Sequence, residues 1–211
     1  MNVAIDNDVL FKGACYGLLD RLLSGISSMA AVLGSARFII PKKLERTSLN
    51  GDRAKALETF LAFLSRSATL EPTDNEQGMA ADLELAAQRL EVNLDAGESQ
   101  LCAIMVRRAF GLLLTGDKRA IVAIERLLDA EPQLTPICGR VKCLEQVFVD
   151  AVAREGHVTL RVGVCGEAGI DKALAICFSC KSQAVDGPCV LEGLRSYIND
   201  LRRQAGRVLA P

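Results

Sequence analysis

The stretch GESQLCAIMVRRAFGLLLTGDKRAIVAIERLLDA, residues 97–130, decides the fold class of this chain. Its middle part, GLLLT at 111–115, is an apolar run of strand length that ends at Gly116 and Asp117. The segments on either side carry apolar residues at helical spacing, over 98–110 and 118–130. A helix, a buried strand and a second helix in succession are typical of parallel strands joined by helical crossovers. The sequence therefore predicts an α/β protein.

The same alternation continues on both sides of this stretch. Strands are predicted at 2–6 (NVAID), 36–41 (ARFIIP) and 68–71, with helices at 9–23, 42–64 and 75–90. Beyond residue 136 the pattern predicts helices at 141–154, 171–179 and 190–209 and a strand at 157–165. We therefore expect a three-layer α/β/α fold with a central parallel sheet of four to five strands, plus a mainly helical C-terminal extension. The predicted division is a compact unit at 1–135 and an extension at 136–211, packed on the same core.

Composition indicates where such a chain works. Half of the 211 residues are apolar, but no run of about 18 apolar residues and no secretion signal is present, so we expect no membrane span. The eight cysteines lie mostly in apolar stretches, which predicts buried thiols in a reducing cytoplasm and disfavours a zinc site. A net charge of −1 provides no overall positive field, so any contact with phosphate has to be local.

Acidic residues recur where predicted strands end or helices begin. Asp6 closes NVAID, Glu45 follows RFIIP, Glu98 lies in DAGESQ beside the alternative Asp95, and Asp117 ends GLLLTGD. Ligands bind at the carboxyl ends of parallel strands, so we expect these acids to meet at one edge of the sheet. Clustered carboxylates repel each other unless a hard cation such as Mg²⁺ or Mn²⁺ lies among them. For each acid, helix capping or the helix dipole is the simpler alternative.

Further polar residues are expected beside these acids. Asp8 would supply a neighbouring carboxylate, and Thr115 would hold a metal-bound water. Five basic residues would line the same edge and bind phosphate, although each alone has the alternative of a solvated helix end: Lys42, Lys43, Arg46, Lys118 and Arg119. The one histidine, His157, lies far from these motifs, and no role is assigned to it.

The segments IDNDVL, IPKKLE, GESQLCAIMVRRA and LLLTGDKRA resemble, in their order and spacing, the successive motifs of PIN domains. PIN domains are nuclease modules found in many toxin-antitoxin systems. The resemblance covers residues 1–135 and implies Mg²⁺- or Mn²⁺-dependent cleavage of RNA. It makes Asp6, Glu45, Glu98 and Asp117 the catalytic set, with Asp6, Glu98 and Asp117 binding metal. Asp8 stands where the family usually has Asn.

The leading hypothesis is therefore a metal-dependent endoribonuclease, for which the resemblance also implies a homo-oligomer and an antitoxin partner. Two alternatives stay open. Asp6 and Asp8 after a strand also suit a phosphatase of the haloacid dehalogenase type, in which the first Asp is the nucleophile. A PIN-like fold could alternatively serve as an inactive binding or assembly module, with the apolar segment from Pro136 onward packing on a partner.

Overall fold

The computed structural model describes residues 2–26 and 30–211. Within these ranges, five parallel strands form one sheet in the order β3-β2-β1-β4-β5. The strands are β1 (Val3–Ile5), β2 (Ala30–Leu33), β3 (Ala68–Leu70), β4 (Leu112–Thr115) and β5 (Val141–Cys143). From the central strand β1, the chain adds β2 and then β3 on one side, and it later adds β4 and β5 on the other side of β1. Consequently, the connections leave in opposite directions between β1 and β4, and such a switch point is where open α/β sheets bind ligands.

Helices cover both faces of the sheet. They are α1 (Asn7–Cys15), α2 (Leu19–Leu23), α3 (Ala36–Arg46), α4 (Arg53–Leu64), α5 (Asp74–Arg89), α6 (Ala96–Arg107), α7 (Lys118–Ala130), α8 (Leu144–Glu155), α9 (His157–Gly166), α10 (Lys172–Cys177) and α11 (Gly187–Gln204), with a 3-10 helix at Pro132–Ile137. In β1, Val3 and Ile5 face one apolar cluster, whereas Ala4 faces a second. The predicted three-layer α/β/α fold with a parallel sheet and a helical C-terminal extension is confirmed.

Two predicted strands are wrong, because their apolar residues have helical spacing. In ARFIIP, the buried residues are Ala36 and Ile40, and Leu44 continues the same stripe, so the segment begins α3 and Pro41 lies inside that helix. The true second strand is Ala30–Leu33, next to residues 27–29 outside the described ranges. In 157–165, Leu160 and Val164 are buried, which makes that segment α9.

The extension at 136–211 contributes to the central sheet. Its first element is β5, which pairs with β4 through Leu113 and Val141. The predicted helix at 141–154 therefore begins later, at Leu144, because the three residues before it are extended. The last residues return to the same edge, where the N–H of Ala210 donates to the carbonyl of Val141 at 2.7 Å.

The cysteines differ from the expectation of free thiols. Cys165 and Cys180 form a disulfide between α9 and the turn after α10. Among the free cysteines, Cys138 and Cys189 are exposed, and the buried ones are Cys15, Cys102, Cys143 and Cys177. The prediction of buried thiols is thus correct for these four and wrong for the others.

No helix within 2–26 and 30–211 combines the length and the apolar character needed to cross a membrane.

Candidate functional site

Asp6 lies at the carboxyl end of β1 and begins α1. Its backbone N–H donates to the carbonyl of Leu114 in β4 at 2.9 Å, which ties the two central strands together at this point. Its carboxylate accepts hydrogen bonds from the N–H groups of Asn7 at 2.7 Å and Asp8 at 3.4 Å. An N-cap acid of this kind satisfies the free donors of the first helical turn. The capping role therefore exists, and it fixes the carboxylate at the sheet edge.

Thr115, the last residue of β4, links the two neighbouring strand ends. Its buried hydroxyl donates to Asp6 Oδ2 at 3.1 Å and accepts from the N–H of Asp117 at 3.1 Å. Asp117 caps α7 through the N–H of Arg119 and also pairs with the Arg119 guanidinium at 2.8 Å. Thr115 therefore orients two acids directly. The expected contact with a metal-bound water stays a prediction.

Glu98 comes from α6, the helix that precedes β4. It forms a capping box with Asp95, in which Glu98 Oε2 accepts from the Asp95 N–H at 2.9 Å and Asp95 Oδ1 accepts from the Glu98 N–H at 2.9 Å. Glu98 is only 7% exposed. Local helix chemistry therefore explains the sequence pattern here, and the same pattern directs a buried carboxyl toward the sheet edge.

These acids line one pocket of about 530 Å³, which we call the acidic pocket. Its polar walls comprise Asp6, Asn7, Asp8, Ser35, Lys43, Asp95, Glu98, Gln100, Asp117 and Arg119. A Cβ at Gly116 would lie 2.3 Å from Asp8 Oδ2, so a larger residue there would displace the Asp8 carboxylate. Residues separated by more than 100 positions in sequence, such as Asp6 and Asp117, thus meet in one place.

Burial and mutual repulsion make two of the acids hard to ionise. Burial, reinforced by the charge of Asp8, raises the pKa of Asp6 to about 6. Burial together with the charges of Asp95, Asp6 and Asp117 raises the pKa of Glu98 to about 8. Asp117 differs: burial alone would raise its pKa, but the hydrogen bonds from Arg119 outweigh that effect and lower it. Asp6 and Glu98 therefore retain protons to higher pH than ordinary carboxyls, whereas Asp117 is stabilised in its ionised form by a close arginine.

Two lysines compensate the charge of Asp8. Lys12 lies one turn further along α1, and its Nζ is 2.7 Å from Asp8 Oδ2 and 2.7 Å from Asp171 Oδ2. Burial alone would lower the pKa of Lys12, but these two carboxylates outweigh it and raise the pKa to about 12. Lys43 Nζ is 3.5 Å from Asp8 Oδ1. Asp8 is thus compensated by two lysines, one of which is shared with the C-terminal extension.

The donor set suits a hard divalent cation, which prefers carboxylate oxygens. In the described part of the chain, however, no three Asp, Glu, His or Cys side chains converge closely enough to hold a metal ion as they stand. Glu98 is turned onto the Asp95 N–H, and Asp117 is turned onto Arg119. Metal binding would therefore require these two side chains to exchange their present hydrogen bonds for metal bonds.

Not every residue singled out in the sequence reaches the pocket. Glu45 was expected to follow a strand, and this is wrong: it lies in the last turn of α3, exposed and outside the pocket. The neighbouring Lys43 lines the pocket, and two residues correspond to about 200° of helical rotation, which places Glu45 on the far side. Lys118 also lies outside, because its Nζ pairs with buried Glu145 of α8 at 2.5 Å. Arg119 lies inside it.

The sequence analysis did not identify Asn7, Ser35, Gln100 or Lys12 as parts of this site. Lys12 had a detectable signal, since Asp8 and Lys12 have the spacing of an ion pair across one helical turn. Ser35 and Gln100 had none, because their place depends on how α3 and α6 pack around the sheet edge.

No protein-family model matches the sequence, and no curated protein matches it either. Among solved structures, one chain in a crystal structure of VapBC2 from Rickettsia felis bound to a DNA fragment from their promoter is similar to this chain. The TM-score is 0.45 at 10% sequence identity, and the match covers 67% of this chain and 97% of that chain. A similarity this low supports no conclusion about function, so the functional assignment depends on the acidic pocket.

Proposed function

We propose that this chain is a metal-dependent endoribonuclease that hydrolyses RNA phosphodiesters in the acidic pocket with Mg²⁺ or Mn²⁺. The observation that carries the proposal is the meeting of Asp6, Glu98 and Asp117 in one pocket at the switch point of the sheet. Burial, and after it the charges of neighbouring carboxylates, raises the pKa values of Asp6 and Glu98, and a divalent cation between them would favour their ionised forms. The order of the motifs, which resembles that of PIN domains, supports the same activity.

The residues take separate roles in this proposal. Asp6, Glu98 and Asp117 would hold the cation, which when bound activates a water for attack on phosphorus. Thr115 keeps Asp6 and the backbone of Asp117 in place through its two hydrogen bonds. Lys43 and Arg119 lie on the pocket wall and would bind the phosphate oxygens of the RNA. Metal binding by Asp117 would release the Arg119 guanidinium, which is now paired with it, for that contact.

The test is RNA cleavage by purified protein with Mg²⁺ or Mn²⁺, compared among wild type, Asp6→Asn, Asp117→Asn and Glu45→Gln. We expect the first two variants to lose about 100-fold or more in cleavage rate, because each removes a ligand charge without changing side-chain size. Glu45→Gln, which removes the same charge outside the pocket, should cleave normally. Thermal unfolding of each variant verifies that it is folded. Unchanged cleavage by Asp6→Asn and Asp117→Asn would overturn the proposal.

A second candidate is a binding or assembly module without activity. Val158, Val162 and Ile176 of the extension are all more than 60% exposed, as an apolar contact surface would require. Calorimetric titration separates the two functions: a stable oligomer that takes up neither Mg²⁺ nor Mn²⁺ would favour the module. An acyl phosphate trapped on Asp6 would instead favour the phosphatase. A homo-oligomer and an antitoxin partner remain expectations from the resemblance to PIN domains.

A further inference from the structure

A second groove of about 290 Å³ adjoins the acidic pocket. Arg119 lines both, so the two depressions share one wall. The other walls of this groove come from α7, from α11 of the C-terminal extension, and from the turn after α5. We call it the Tyr197 groove after the aromatic residue that lines it.

The α7 wall of the groove is basic. Arg119, Val122 and Arg126 line it at intervals of three and four residues, so they form one stripe along the helix. Arg126 is exposed and has no ion-pair partner among residues 2–26 and 30–211. Glu91 and Asp200 also line the groove, and Asp200 is paired with Arg203 at 2.8 Å. In a chain of net charge −1, Arg126 therefore adds local positive charge beside the candidate site, whereas the charge of Arg119 is shared with Asp117.

The α11 wall supplies an aromatic face. Tyr197 is half-buried and packs against the apolar core, while part of its surface lines the groove. Lys118 Nζ lies 5.5 Å from the ring centre, and it is held there by Glu145 at 2.5 Å. Packing against the core and the contact with Lys118, which also lines the groove, therefore restrain the ring. Base stacking on a fixed aromatic ring beside cationic residues is how proteins bind single strands without reading their sequence.

We propose that the Tyr197 groove binds the nucleotide of a single-stranded RNA that lies next to the cleaved linkage. Arg119 and Arg126 bind its phosphate, and its base packs on Tyr197. The identity of the strand as RNA rests on the proposed function, whereas the groove and its chemistry do not. The inference gives α11 a role in substrate binding, which places part of the substrate site in the C-terminal extension.

The experiment measures binding separately from cleavage. A 12-nucleotide fluorescein-labelled single-stranded RNA is titrated with protein in EDTA, and fluorescence anisotropy gives the dissociation constant for several salt concentrations. The variants are Arg126→Ala, Tyr197→Leu and the conservative Tyr197→Phe. Arg195→Ala is the matched control, because it removes the same charge from an exposed position of α11 outside the groove. Thermal unfolding shows whether Tyr197→Leu is folded. Tyr197→Phe removes only the hydroxyl and retains the aromatic ring, so it separates the effect of the ring from that of the hydroxyl.

We expect Arg126→Ala to weaken binding roughly tenfold and to reduce the salt slope by about 0.7, the value for one lost single-strand phosphate contact. Tyr197→Leu should weaken binding at least about fivefold through lost stacking, while Tyr197→Phe and Arg195→Ala stay within about twofold of wild type. Equal affinities for wild type, Arg126→Ala and Tyr197→Leu would overturn the inference, even if Mg²⁺-dependent cleavage occurs. If the groove variants weaken binding but no cleavage occurs with Mg²⁺ or Mn²⁺, the groove stands and the proposed nuclease activity fails.

Discussion

At the scale of single residues, the carboxyl groups of Asp8 and Glu98 have different surroundings within the acidic pocket. Asp8 faces Lys12 and Lys43, which compensate its charge. Burial, and after it the charges of Asp95, Asp6 and Asp117, raises the pKa of Glu98 to about 8. The surroundings make the difference, since burial and neighbouring carboxylates disfavour an ionised carboxyl, whereas nearby ammonium groups favour it. Of Asp6 and Glu98, Glu98 is thus the acid whose pKa is raised further.

The raised pKa of Glu98 predicts that the metal-free protein loses stability as pH rises. The folded chain holds a proton on Glu98 up to about pH 8, whereas the unfolded chain loses it near its ordinary pKa of 4.5. Stability should therefore be highest below about pH 4.5 as far as this group is concerned, fall as pH rises to about 8, and level off above. For a chain of this size, a decrease of about 2 kcal/mol in the free energy of unfolding lowers Tm by roughly 4 to 8 °C.

The measurement is thermal unfolding followed by circular dichroism in EDTA from pH 5 to 9, for wild type, Glu98→Gln and Glu45→Gln. Glu98→Gln should flatten the profile, because the amide cannot ionise, and Glu45→Gln should leave it unchanged. Identical slopes for wild type and Glu98→Gln would contradict the raised pKa.

At the scale of secondary-structure elements, an ion pair between buried Glu76 and exposed Arg108 joins α5 to the end of α6. Glu76 accepts two hydrogen bonds from Arg108, both at 2.6 Å, and also accepts from the N–H of Thr73 at 2.8 Å. Arg108 also donates to the carbonyl of Glu71 at 2.7 Å, just after β3. The hydrogen bonds from Arg108, together with that from Thr73, lower the pKa of Glu76 to about 2. One side chain thus fixes the start of α5 relative to α6, the helix that carries Glu98.

We predict that Glu76→Ala lowers the free energy of unfolding by about 1 to 3 kcal/mol at pH 7, because Arg108 loses its partner and α5 loses the Glu76 half of its capping box. Because folding lowers the pKa of Glu76, its contribution is complete above about pH 4.5 and is lost as pH falls toward 2. The difference between variant and wild type should therefore shrink at pH 2 to 3.

Urea unfolding of wild type and Glu76→Ala at pH 7 and at pH 2 to 3 tests this. Asp82→Ala is the control, because Asp82 is an exposed acid of the same helix. The control should change stability by about 0.5 kcal/mol at most. An effect of Glu76→Ala no larger than that of Asp82→Ala would show that the Glu76–Arg108 pair does not stabilise the contact between α5 and α6.

The elements also show what local sequence can and cannot specify. For α7, the predicted limits and the N-cap Asp117 agree with the structure, because a strong apolar stripe, a cap and a preceding turn all indicate the same start. For α3, a β-branched run before Pro41 favours a strand locally, and burial of Ala36, Ile40 and Leu44 against the core overrides that preference. Local propensity is a small energy per residue, whereas burial of a whole helix face is larger.

At the scale of the whole molecule, the C-terminal extension completes the fold. β5 pairs with β4, and Phe148 of α8 and Phe178 after α10 pack edge to face with ring centres 5.6 Å apart in the same cluster as Leu10. Gln146 donates to the carbonyl of Ala210 at 2.8 Å, which holds the last residues to the sheet edge. The core of one sheet face is therefore built from both halves of the chain.

We predict that a fragment comprising residues 1–135 does not fold cooperatively, because removal of β5 and α8 exposes the edge of β4 and the apolar cluster beneath it. Thermal unfolding and a two-dimensional amide NMR spectrum of the fragment test this. Co-expression with residues 136–211 should restore the dispersed spectrum of the full chain. A fragment that unfolds cooperatively by itself would instead show that residues 1–135 form an independent domain.

The sequence by itself determined the fold class, most helix positions and the acids that close β1 and begin α6 and α7, because periodicity and capping are local properties of the chain. Only the tertiary structure decided which of these acids share a pocket. It left Glu45 outside the pocket, paired Lys12 with Asp8 and placed Asn7, Ser35 and Gln100 on the pocket wall, because a side chain's neighbours depend on how distant elements pack and rotate. The same packing sets the pKa values, since burial and nearby charges arise only when β1, β4 and α6 come together.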